Sequence, residues 1–271
     1  MILKEVLNKS YYGTISYIPN AKYLNTLERY IQYNLEVLKE YKGIIVATNY
    51  SNLELAEKNT ILWKKYFPDC ILIDLPKNRG HNFGTSDLDT SIFNYCKEND
   101  IEWLCKTSAD VILEKKLLNI KVNKSDFYYL EGIGYGGLAN NKFDIDKILN
   151  NYFFPQTNFY IINISKVDKL HDQEYIERTY NEIKKIPKKV YKSMFDSKPW
   201  GPFPGWACEQ FLADCVERNK LTKYHLLSQK NYIKLIDIIK KEQIHDCSHK
   251  NIMLNGICHF HNIDDDVIII D

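Results

Sequence analysis

Short apolar runs alternate with longer segments of helical periodicity through the first 105 residues of the chain. Four runs have the length and composition of strands: Tyr12–Ile18, Gly43–Thr48, Cys70–Leu75 and Ile101–Cys105. Three segments between them repeat apolar residues at helical spacing: Tyr23–Tyr41, Leu53–Phe67 and Thr85–Cys96. Strands and helices that alternate at this rhythm form βαβ units, so the sequence predicts an α/β fold with a mostly parallel sheet flanked by helices.

Polar or glycine-containing turns follow the third and fourth of these strands. Asp74 lies near the end of the third strand and is followed by Asn78, Gly80 and Gly84, and the polar segment Lys106–Asp110 follows the fourth. The carboxyl ends of parallel strands meet at one edge of a sheet, and open α/β sheets bind ligands there. The glycine turn and the carboxylate of the fourth turn therefore predict a ligand site at that edge.

The alternation becomes less regular after residue 115. We predict strands at Phe127–Glu131, Phe159–Ile164 and, at an edge, Val267–Ile270, with helices at Lys166–Lys189 and Trp206–Arg218. Ile233–Ile239 fits either a helix or a strand, and Gly132–Gly137 does not open a helix as a dinucleotide fingerprint does. Since no low-complexity or linker-like tract interrupts the chain, we expect a single domain over residues 1–271.

Composition narrows the class of protein. The chain carries 36 Lys and Arg against 35 Asp and Glu, and this balance gives no electrostatic basis for a nucleic-acid partner. The opening MILKEVLNKS has too short an apolar run and too few basic residues for a secretion signal, and no window approaches the ~20 apolar residues of a transmembrane segment. With seven scattered cysteines, these features predict a cytoplasmic protein with reduced thiols.

Several motifs follow one another in a fixed order within the first 115 residues. A strand ends in Pro19-Asn20, an apolar strand ends in Thr48–Ser51, a turn contains Asn78-Arg79-Gly80 with Gly84, and a strand leads into Ser108-Ala109-Asp110. This order resembles the nucleotide-binding half of glycosyltransferases with the GT-A fold, in particular the inverting family 2. The resemblance implies that residues 1–115 bind a nucleotide sugar and that residues 116–271 bind the acceptor.

Two motifs depart from the pattern of the resembled family. Thr48-Asn49 stand where the family has an acidic pair, and Ser108 stands at the first position of the Asp-x-Asp motif. The motif thus keeps only its second carboxylate, Asp110, and the uncharged pair could still form hydrogen bonds with a base or a ribose.

The resemblance implies a donor site at the carboxyl ends of the strands. Its implied residues are Pro19, Thr48, Asn49, Asp74, Asn78, Gly80, Gly84, Lys106 and Ser108. Thr48, Asn49 and Asp74 would contact the nucleoside. The glycines would let the backbone approach the donor closely, and Lys106 would supply positive charge to the phosphates.

The resemblance also implies a divalent cation, Mn²⁺ or Mg²⁺, because negative charge builds on the departing diphosphate. Asp110 is the implied carboxylate ligand, and a C-terminal histidine, His259 or His261, would complete the site. Ser108 and Asp110 could instead cap a turn after the strand. The Cys and His residues within 245–261 could alternatively hold a structural zinc ion, although their spacing matches no standard zinc finger.

An inverting transferase needs a general base that deprotonates the acceptor hydroxyl. In the resembled fold this acid opens a helix in the second half of the chain, and Glu209 follows the stretch 198–205, rich in Pro, Gly and aromatic residues, in this way. Asp214 is the alternative on the same helix. The implied activity is transfer of a hexosyl group from a nucleotide diphosphate sugar to a glycan or another hydroxyl acceptor.

Two other functions stay open at the level of the sequence. Ser108 in place of an acid would suit a non-catalytic nucleotide- or sugar-binding module. A sugar-nucleotide nucleotidyltransferase on a related sheet would need a basic, glycine-rich loop after the first strand, where Pro19-Asn20-Ala21 stands instead.

Overall fold

The computed structural model of the chain describes residues 1–50, 52–76, 79, 81–131, 155–171, 173–185, 207–242, 251–259 and 266–270. The helices are α1 Lys4–Leu7, α2 Ala21–Leu38, α3 Leu53–Tyr66, α4 His81–Glu98, α5 Gln173–Lys184, α6 Ala207–Arg218 and α7 Gln229–Glu242. The strands are β1 Ser10–Ile18, β2 Gly43–Tyr50, β3 Ile71–Asp74, β4 Trp103–Ser108, β5 Val111–Leu113, β6 Phe127–Glu131, β7 Pro155–Asn163, β8 Lys223–His225, β9 Asn251–Leu254, β10 Ile257–His259 and β11 Val267–Ile270. Short 3-10 helices span Lys115–Asn119 and Ile164–Lys166.

Seven of the described strands form a central sheet in the order β3-β2-β1-β4-β7-β6-β8. β7 runs antiparallel to its neighbours β4 and β6, whereas the other neighbouring pairs of this sheet are parallel. The predicted mostly parallel sheet flanked by helices is therefore confirmed. We call the edge at which β1 to β4 end the carboxyl edge. The residues of β7 before Phe159 extend past this edge, because Phe159 pairs with Thr107 near the end of β4.

Helices cover both faces of the central sheet, and the central strand β2 shows why its sequence is apolar throughout. Ile44 and Val46 pack into a core with α2, α3 and α7. Ile45 and Ala47 pack into a second core with α4 and α6. Successive side chains of a strand point to opposite faces, so a strand buried on both faces is a continuous apolar run.

A second, smaller sheet has the strand order β11-β9-β10-β5. β9 and β10 form a hairpin around Asn255 at φ 49° and Gly256 at φ 84°, which is the left-handed pair that a type I′ turn requires. β11 lies at an edge, so the prediction of a last edge strand at Val267–Ile270 is confirmed. β10 pairs with β5, which follows β4, and this pairing returns a late part of the chain to the carboxyl edge.

Two boundaries near the candidate site differ from the sequence prediction. β4 continues to Ser108, so Lys106 belongs to a strand and not to a polar turn, because pairing with β1 and β7 buries it. α4 begins at His81, so Gly84 lies in the first turn of a helix rather than in the turn before it.

The structure also bears on the secondary structure predicted for the second half of the chain. Residues 233–239 are helical within α7, and the helix predicted over Lys166–Lys189 begins at Gln173, after a 3-10 helix. The predicted segments Gly132–Gly137 and Lys198–Gly205 lie outside the described residues. Among the helices that the structure describes, none combines the length and the apolar character needed to cross a membrane.

Candidate functional site

β1 passes directly into α2 at the carboxyl edge. Pro19 ends the strand and Asn20 caps the helix, and the Asn20 side-chain oxygen accepts a hydrogen bond from the backbone N–H of Tyr23 at 3.1 Å. The two elements are adjacent in the chain, so there is no room between them for the basic, glycine-rich loop that a sugar-nucleotide nucleotidyltransferase would need.

Thr48 and Asn49 are buried near the end of β2. The Thr48 hydroxyl donates a hydrogen bond to the Ser16 carbonyl oxygen at 2.9 Å, so it holds β2 against β1. The amide oxygen of Asn49 has no hydrogen-bond partner within the part of the chain that the structure describes, although the residue is 2% exposed. A buried polar atom of this kind calls for an explanation, and a bound ligand or an ordered water would provide one.

Asp74 is an exposed carboxylate at the end of β3. It pairs in register with Thr48, and the backbone N–H of Leu75 donates to the Thr48 carbonyl oxygen at 2.9 Å. Partial burial raises the pKa of Asp74 above its usual value. Burial, together with the Asp74 charge, also raises the pKa of Tyr50. The carboxyl edge therefore carries an acidic side chain beside Asn49, where the nucleoside contacts were predicted.

The remaining residues predicted for the donor site are described in part. Asn78 and Gly80 lie outside the described residues, and Gly84 is buried in the first turn of α4. Ser108 is half-buried at the last position of β4, where it pairs with Ile15 of β1. Ser108 therefore lies at the carboxyl edge.

Arg79, which lies between β3 and α4, is held by two carboxylates. Its Nε and Nη2 atoms donate to the two carboxylate oxygens of Asp87 at 2.8 Å and 2.5 Å, and its Nη1 atom donates to Glu177 of α5 at 2.5 Å. The Arg79 side chain is only 8% exposed. This arrangement ties Arg79 both to α4 and to α5.

Asp110 lies between β4 and β5, beside tyrosines of β1 and α2. Burial, with the negative charge of Asp110 adding to it, raises the pKa of Tyr23 to about 12 and also raises the pKa of Tyr30. The pKa of Tyr12 is raised mainly by burial and to a smaller degree by Asp110. The predicted metal-ligating carboxylate thus lies at the carboxyl edge, next to the start of α2.

The small sheet brings the backbone of His259 to the neighbourhood of Asp110. His259 lies directly opposite Val111, the residue after Asp110, and such opposite residues have Cα atoms about 5 Å apart. The side chain of His259 and the whole of His261 lie outside the described residues. Among the side chains that are described, no group of three or more His, Cys, Asp or Glu is placed to hold a metal ion.

β10 pairs with one edge of β5, and Asn34 of α2 forms hydrogen bonds with the other edge. Its Nδ2 atom donates to the Val111 carbonyl oxygen at 2.7 Å, and its Oδ1 atom accepts from the Leu113 N–H at 2.7 Å. The Asn34 side chain is buried and therefore acts as a replacement for a neighbouring strand. The position of the turn at Asp110 depends on this contact, because β5 follows that turn directly.

Lys106 is buried against α4. Its Nζ atom lies 3.2 Å from Oδ1 of Asp89, and each of the two side chains is 1% exposed. The ammonium group also donates to the Thr157 carbonyl oxygen and lies 5.8 Å from the ring centroid of Tyr160. Burial raises the pKa of Asp89 although the Lys106 charge opposes the rise. The positive charge that was predicted to contact the donor phosphates is thus engaged by groups inside the protein.

Glu209 lies in the first turn of α6, as the sequence predicts, and contacts β7. Its Oε1 atom accepts a hydrogen bond from the Thr157 hydroxyl at 2.8 Å. Burial raises the pKa of Glu209, although the Thr157 hydrogen bond and the Lys106 charge oppose the rise. A positioned carboxylate with a raised pKa is suited to accept a proton. Asp214, the alternative base, is exposed further along α6.

His171 lies on the same side of the sheet and was not singled out from the sequence. It is 3% exposed, and neither ring nitrogen has a hydrogen-bond partner among the described residues. Its ring lies 5.9 Å from that of Phe211 on α6. Burial, with the Lys106 charge adding to it, lowers the pKa of His171 to about 3, so the ring is neutral at neutral pH.

The structure therefore gathers two groups of residues at the carboxyl edge. Asp110 lies with the His259 backbone on the side of α2, and Glu209 lies with Lys106 on the side of α4 and α6. Asp89 and Thr157 belong to the second group but were missed. Asp89 had a signal in the sequence, because it lies at helical spacing on the apolar face of α4. Thr157 had none, because its place depends on the antiparallel pairing of β7.

No protein-family model and no curated protein sequence matches the chain. A solved structure of the galactosyltransferase LgtC in complex with donor and acceptor sugar analogues has a TM-score of 0.43 and 8% identity, over 93% of this chain and 87% of that one. The glycosyltransferase GlyE of Streptococcus pneumoniae TIGR4 has a TM-score of 0.37 and 9% identity, over 86% of this chain and 50% of that one.

Proposed function

We propose that this chain is a glycosyltransferase that moves a sugar from a nucleoside diphosphate sugar to an acceptor hydroxyl with inversion. The observation that carries the proposal is the composition of the carboxyl edge. Asp110 lies there beside the His259 backbone, and the half-buried Glu209 lies at the same edge, where its carboxylate accepts a hydrogen bond from Thr157 of β7. Open α/β sheets bind ligands at this edge, and a transferase needs a donor site and a base close to one another.

The ends of β2 and β3 would receive the nucleoside of the donor. Asn49 has a buried amide oxygen that would accept a hydrogen bond from a base or a ribose hydroxyl. Asp74 is exposed beside it and would accept hydrogen bonds from a ribose. Thr48, whose hydroxyl already donates to the Ser16 carbonyl oxygen, would support these two residues without direct contact to the nucleoside.

The donor chemistry of Asp110 and His259 fits a divalent cation such as Mn²⁺, since carboxylate oxygen and imidazole nitrogen both bind it; Mg²⁺ would depend more on the carboxylate. His261 would be a further ligand. When bound, the cation would neutralise the negative charge that develops on the departing diphosphate.

Glu209 would act as the general base. The acceptor oxygen forms a bond to the anomeric carbon while the bond from that carbon to the diphosphate oxygen breaks. The nucleoside diphosphate leaves with the electron pair of that bond, and the proton of the acceptor hydroxyl passes to the Glu209 carboxylate. A base in this role contributes about 10²–10⁴-fold to the rate.

The test is to incubate the full chain with nucleotide sugars of different bases, Mn²⁺ and a panel of hydroxyl acceptors, and to measure nucleoside diphosphate and product by mass spectrometry. Glu209→Gln should lower kcat about 10²–10⁴-fold. Asp214→Asn, on the exposed part of the same helix, should leave kcat within a factor of about two. Absence of diphosphate release with every donor and acceptor, or an equal loss in the two variants, contradicts the proposal.

A non-catalytic binding module is the second candidate, and two observations favour it. Ser108 replaces the first acid of the Asp-x-Asp pair, and the Lys106 ammonium is engaged by Asp89 inside the protein. Such a module would bind a nucleotide sugar at the same edge without turnover. The same experiment separates the two, because the module would show donor binding by calorimetry but no release of diphosphate.

A further inference from the structure

A continuous set of polar contacts joins α4 to α6 across the carboxyl edge. Asp89 of α4 pairs with Lys106 of β4 at 3.2 Å, and the Lys106 ammonium donates to the backbone carbonyl of Thr157 on β7. The hydroxyl of the same Thr157 donates to Oε1 of Glu209 at 2.8 Å. One residue of β7 is therefore held by its backbone and, in turn, holds Glu209 by its side chain.

The shape of β7 explains how Thr157 can reach both partners. The pairing of β7 with β6 is irregular here, since Tyr129 pairs with Tyr160 but Glu131 pairs with Pro155. Three extra residues of β7 thus lie between paired positions, and an irregularity of this kind re-aims side chains. Without a further constraint such a segment would be loosely placed, and the ammonium of Lys106 supplies that constraint at the Thr157 carbonyl.

The burial of Lys106 shows that its charge has an internal role. The side chain is 1% exposed, so its ammonium is committed to Asp89 and Thr157. A buried ion pair is a poor source of stability, because the cost of removing two charges from water is close to the gain from their attraction. The pair can instead hold β7 in one arrangement beside Glu209, because the Lys106 ammonium donates a hydrogen bond to Thr157. An apolar pair of the same volume could not form this hydrogen bond.

The ionisable groups of the elements around Glu209 differ in whether they carry charge near neutral pH. On β4, β7, α4 and the segment before α5 they include Lys106, Tyr160, Asp89, Cys96 and His171, and the Lys106 charge opposes the rise that burial causes in the pKa of Glu209. Burial raises the pKa of Cys96 to about 12 and the pKa of Tyr160 well above its usual value, and it lowers the pKa of His171 to about 3. These three are neutral near neutral pH, whereas Lys106 and Asp89 form the buried ion pair.

We propose that Thr157, anchored by Lys106, is a positioning residue for Glu209: its hydroxyl holds the carboxylate in the orientation in which it meets the acceptor. The inference rests on the proposed function, in which Glu209 is the base. It assigns Lys106 to the interior of the site instead of to the donor phosphates. The Thr157 hydroxyl also favours the ionised form of Glu209, because a hydrogen bond to a carboxylate stabilises its charged state.

The test compares Thr157→Val, which removes the hydroxyl at nearly constant volume, with Thr157→Ser, which keeps it. In Thr157→Val the acidic limb of the pH profile of kcat/KM should move up by about one unit, the size expected for losing one hydrogen bond to a charged group. In Thr157→Ser the limb should stay at the wild-type position. A change in kcat at every pH with an unmoved limb would be the signature of a merely structural role and would overturn the proposal.

A measurement independent of turnover keeps this test distinct from that of the proposed function. The full chain is labelled with ¹³C at the glutamate carboxyl carbons, the Glu209 signal is assigned with Glu209→Gln, and its pKa is read by NMR titration. We expect a pKa about one unit higher in Thr157→Val than in wild type and Thr157→Ser. Equal pKa values in all three overturn the inference. If the pKa of Glu209 shifts as expected but the protein transfers no sugar, the proposed function is contradicted. The contact between Thr157 and Glu209 is then still supported.

The anchoring step has its own control. In a background with Lys106→Met and Asp89→Leu, the β7 segment loses its ionic anchor while the volume is kept. The effect of Thr157→Val on the pKa of Glu209 should then shrink to less than half, because residues of one network are not additive. An undiminished effect would show that Lys106 does not anchor Thr157.

Discussion

The ammonium nitrogen of Lys106 lies 3.2 Å from the Oδ1 atom of Asp89, and both side chains are 1% exposed. This pair joins β4 to α4 beside the carboxyl edge. Because the interior screens charge poorly, removing one partner leaves the other charge uncompensated, whereas removing both restores a neutral core.

Lys106→Met should therefore lower the free energy of unfolding by about 3–5 kcal/mol. The double variant with Lys106→Met and Asp89→Leu should recover most of this loss, because neither charge remains buried. Urea denaturation of the two variants and wild type measures both values. A double variant as unstable as the single one would contradict this account of the pair.

The buried His171 should make the protein less stable as the pH falls. The unfolded chain takes up a proton on His171 below its ordinary pKa near 6.5, but the folded chain does not do so until about pH 3. Between pH 7 and pH 5 this difference should cost about 2 kcal/mol of unfolding free energy.

Carboxyls with raised pKa values, such as Glu209 and Asp89, change stability in the opposite direction as the pH falls. Their folded forms hold protons more tightly, so they favour the folded state as the pH falls. The contribution of His171 is therefore measured as the difference between wild type and His171→Leu. His225→Leu is a second test of the same effect, since burial also lowers the pKa of His225, to about 4. Each variant should flatten the slope of stability against pH, and a slope unchanged in both would contradict the prediction.

Asn34 should be needed for the placement of β5 and hence of Asp110. Asn34→Leu leaves the Val111 carbonyl and the Leu113 N–H without their side-chain partner, which should cost about 3 kcal/mol of unfolding free energy. Tyr33→Leu changes the preceding residue of the same helix, which is 58% exposed, and should cost less than about 0.5 kcal/mol. Similar losses in the two variants would show that Asn34 does not hold β5.

The two carboxylates that bind Arg79 should contribute unequally to the free energy of unfolding. A double-mutant cycle between Arg79→Met and Asp87→Asn should give a coupling of about 1–2 kcal/mol, because the pair is bidentate and the Arg79 side chain is 8% exposed. The cycle with Glu177→Gln should give less than about 0.5 kcal/mol, since Glu177 is 53% exposed. Chemical denaturation measures both couplings, and a larger value for Glu177 would contradict the ranking.

Local patterns in the sequence predicted the part of the fold that local patterns determine. The apolar runs and helical spacings of the first 105 residues predicted the mostly parallel sheet. Glu209 was placed in the first turn of a helix from the glycine-rich stretch before it, and Asp110 was placed after the fourth strand. In each case the deciding residues lie within a few positions of one another along the chain.

The features that were missed depend on contacts between distant segments. β5, β9 and β10 have only three or four residues each, too few for a clear period, although Asn255-Gly256 between apolar residues was a hairpin signal. Lys106 was interpreted as part of a turn because it is charged, and only the partner on α4 explains its burial. Thr157 reaches Glu209 through an irregular strand pairing that no local pattern encodes.

The central claim is that the carboxyl edge binds a nucleoside diphosphate sugar through a cation held at Asp110. The most direct measurement is a thermal-shift screen of UDP-, GDP-, ADP- and dTDP-sugars, each with and without Mn²⁺, on wild type and Asp110→Asn. Ligand binding to the folded state at one hundred times Kd stabilises it by about 2.7 kcal/mol, which is a readily measured rise in Tm. We predict a rise with one nucleotide that requires Mn²⁺ and is lost in Asp110→Asn. No rise with any nucleotide sugar, or a rise that Asp110→Asn leaves unchanged, would contradict the account.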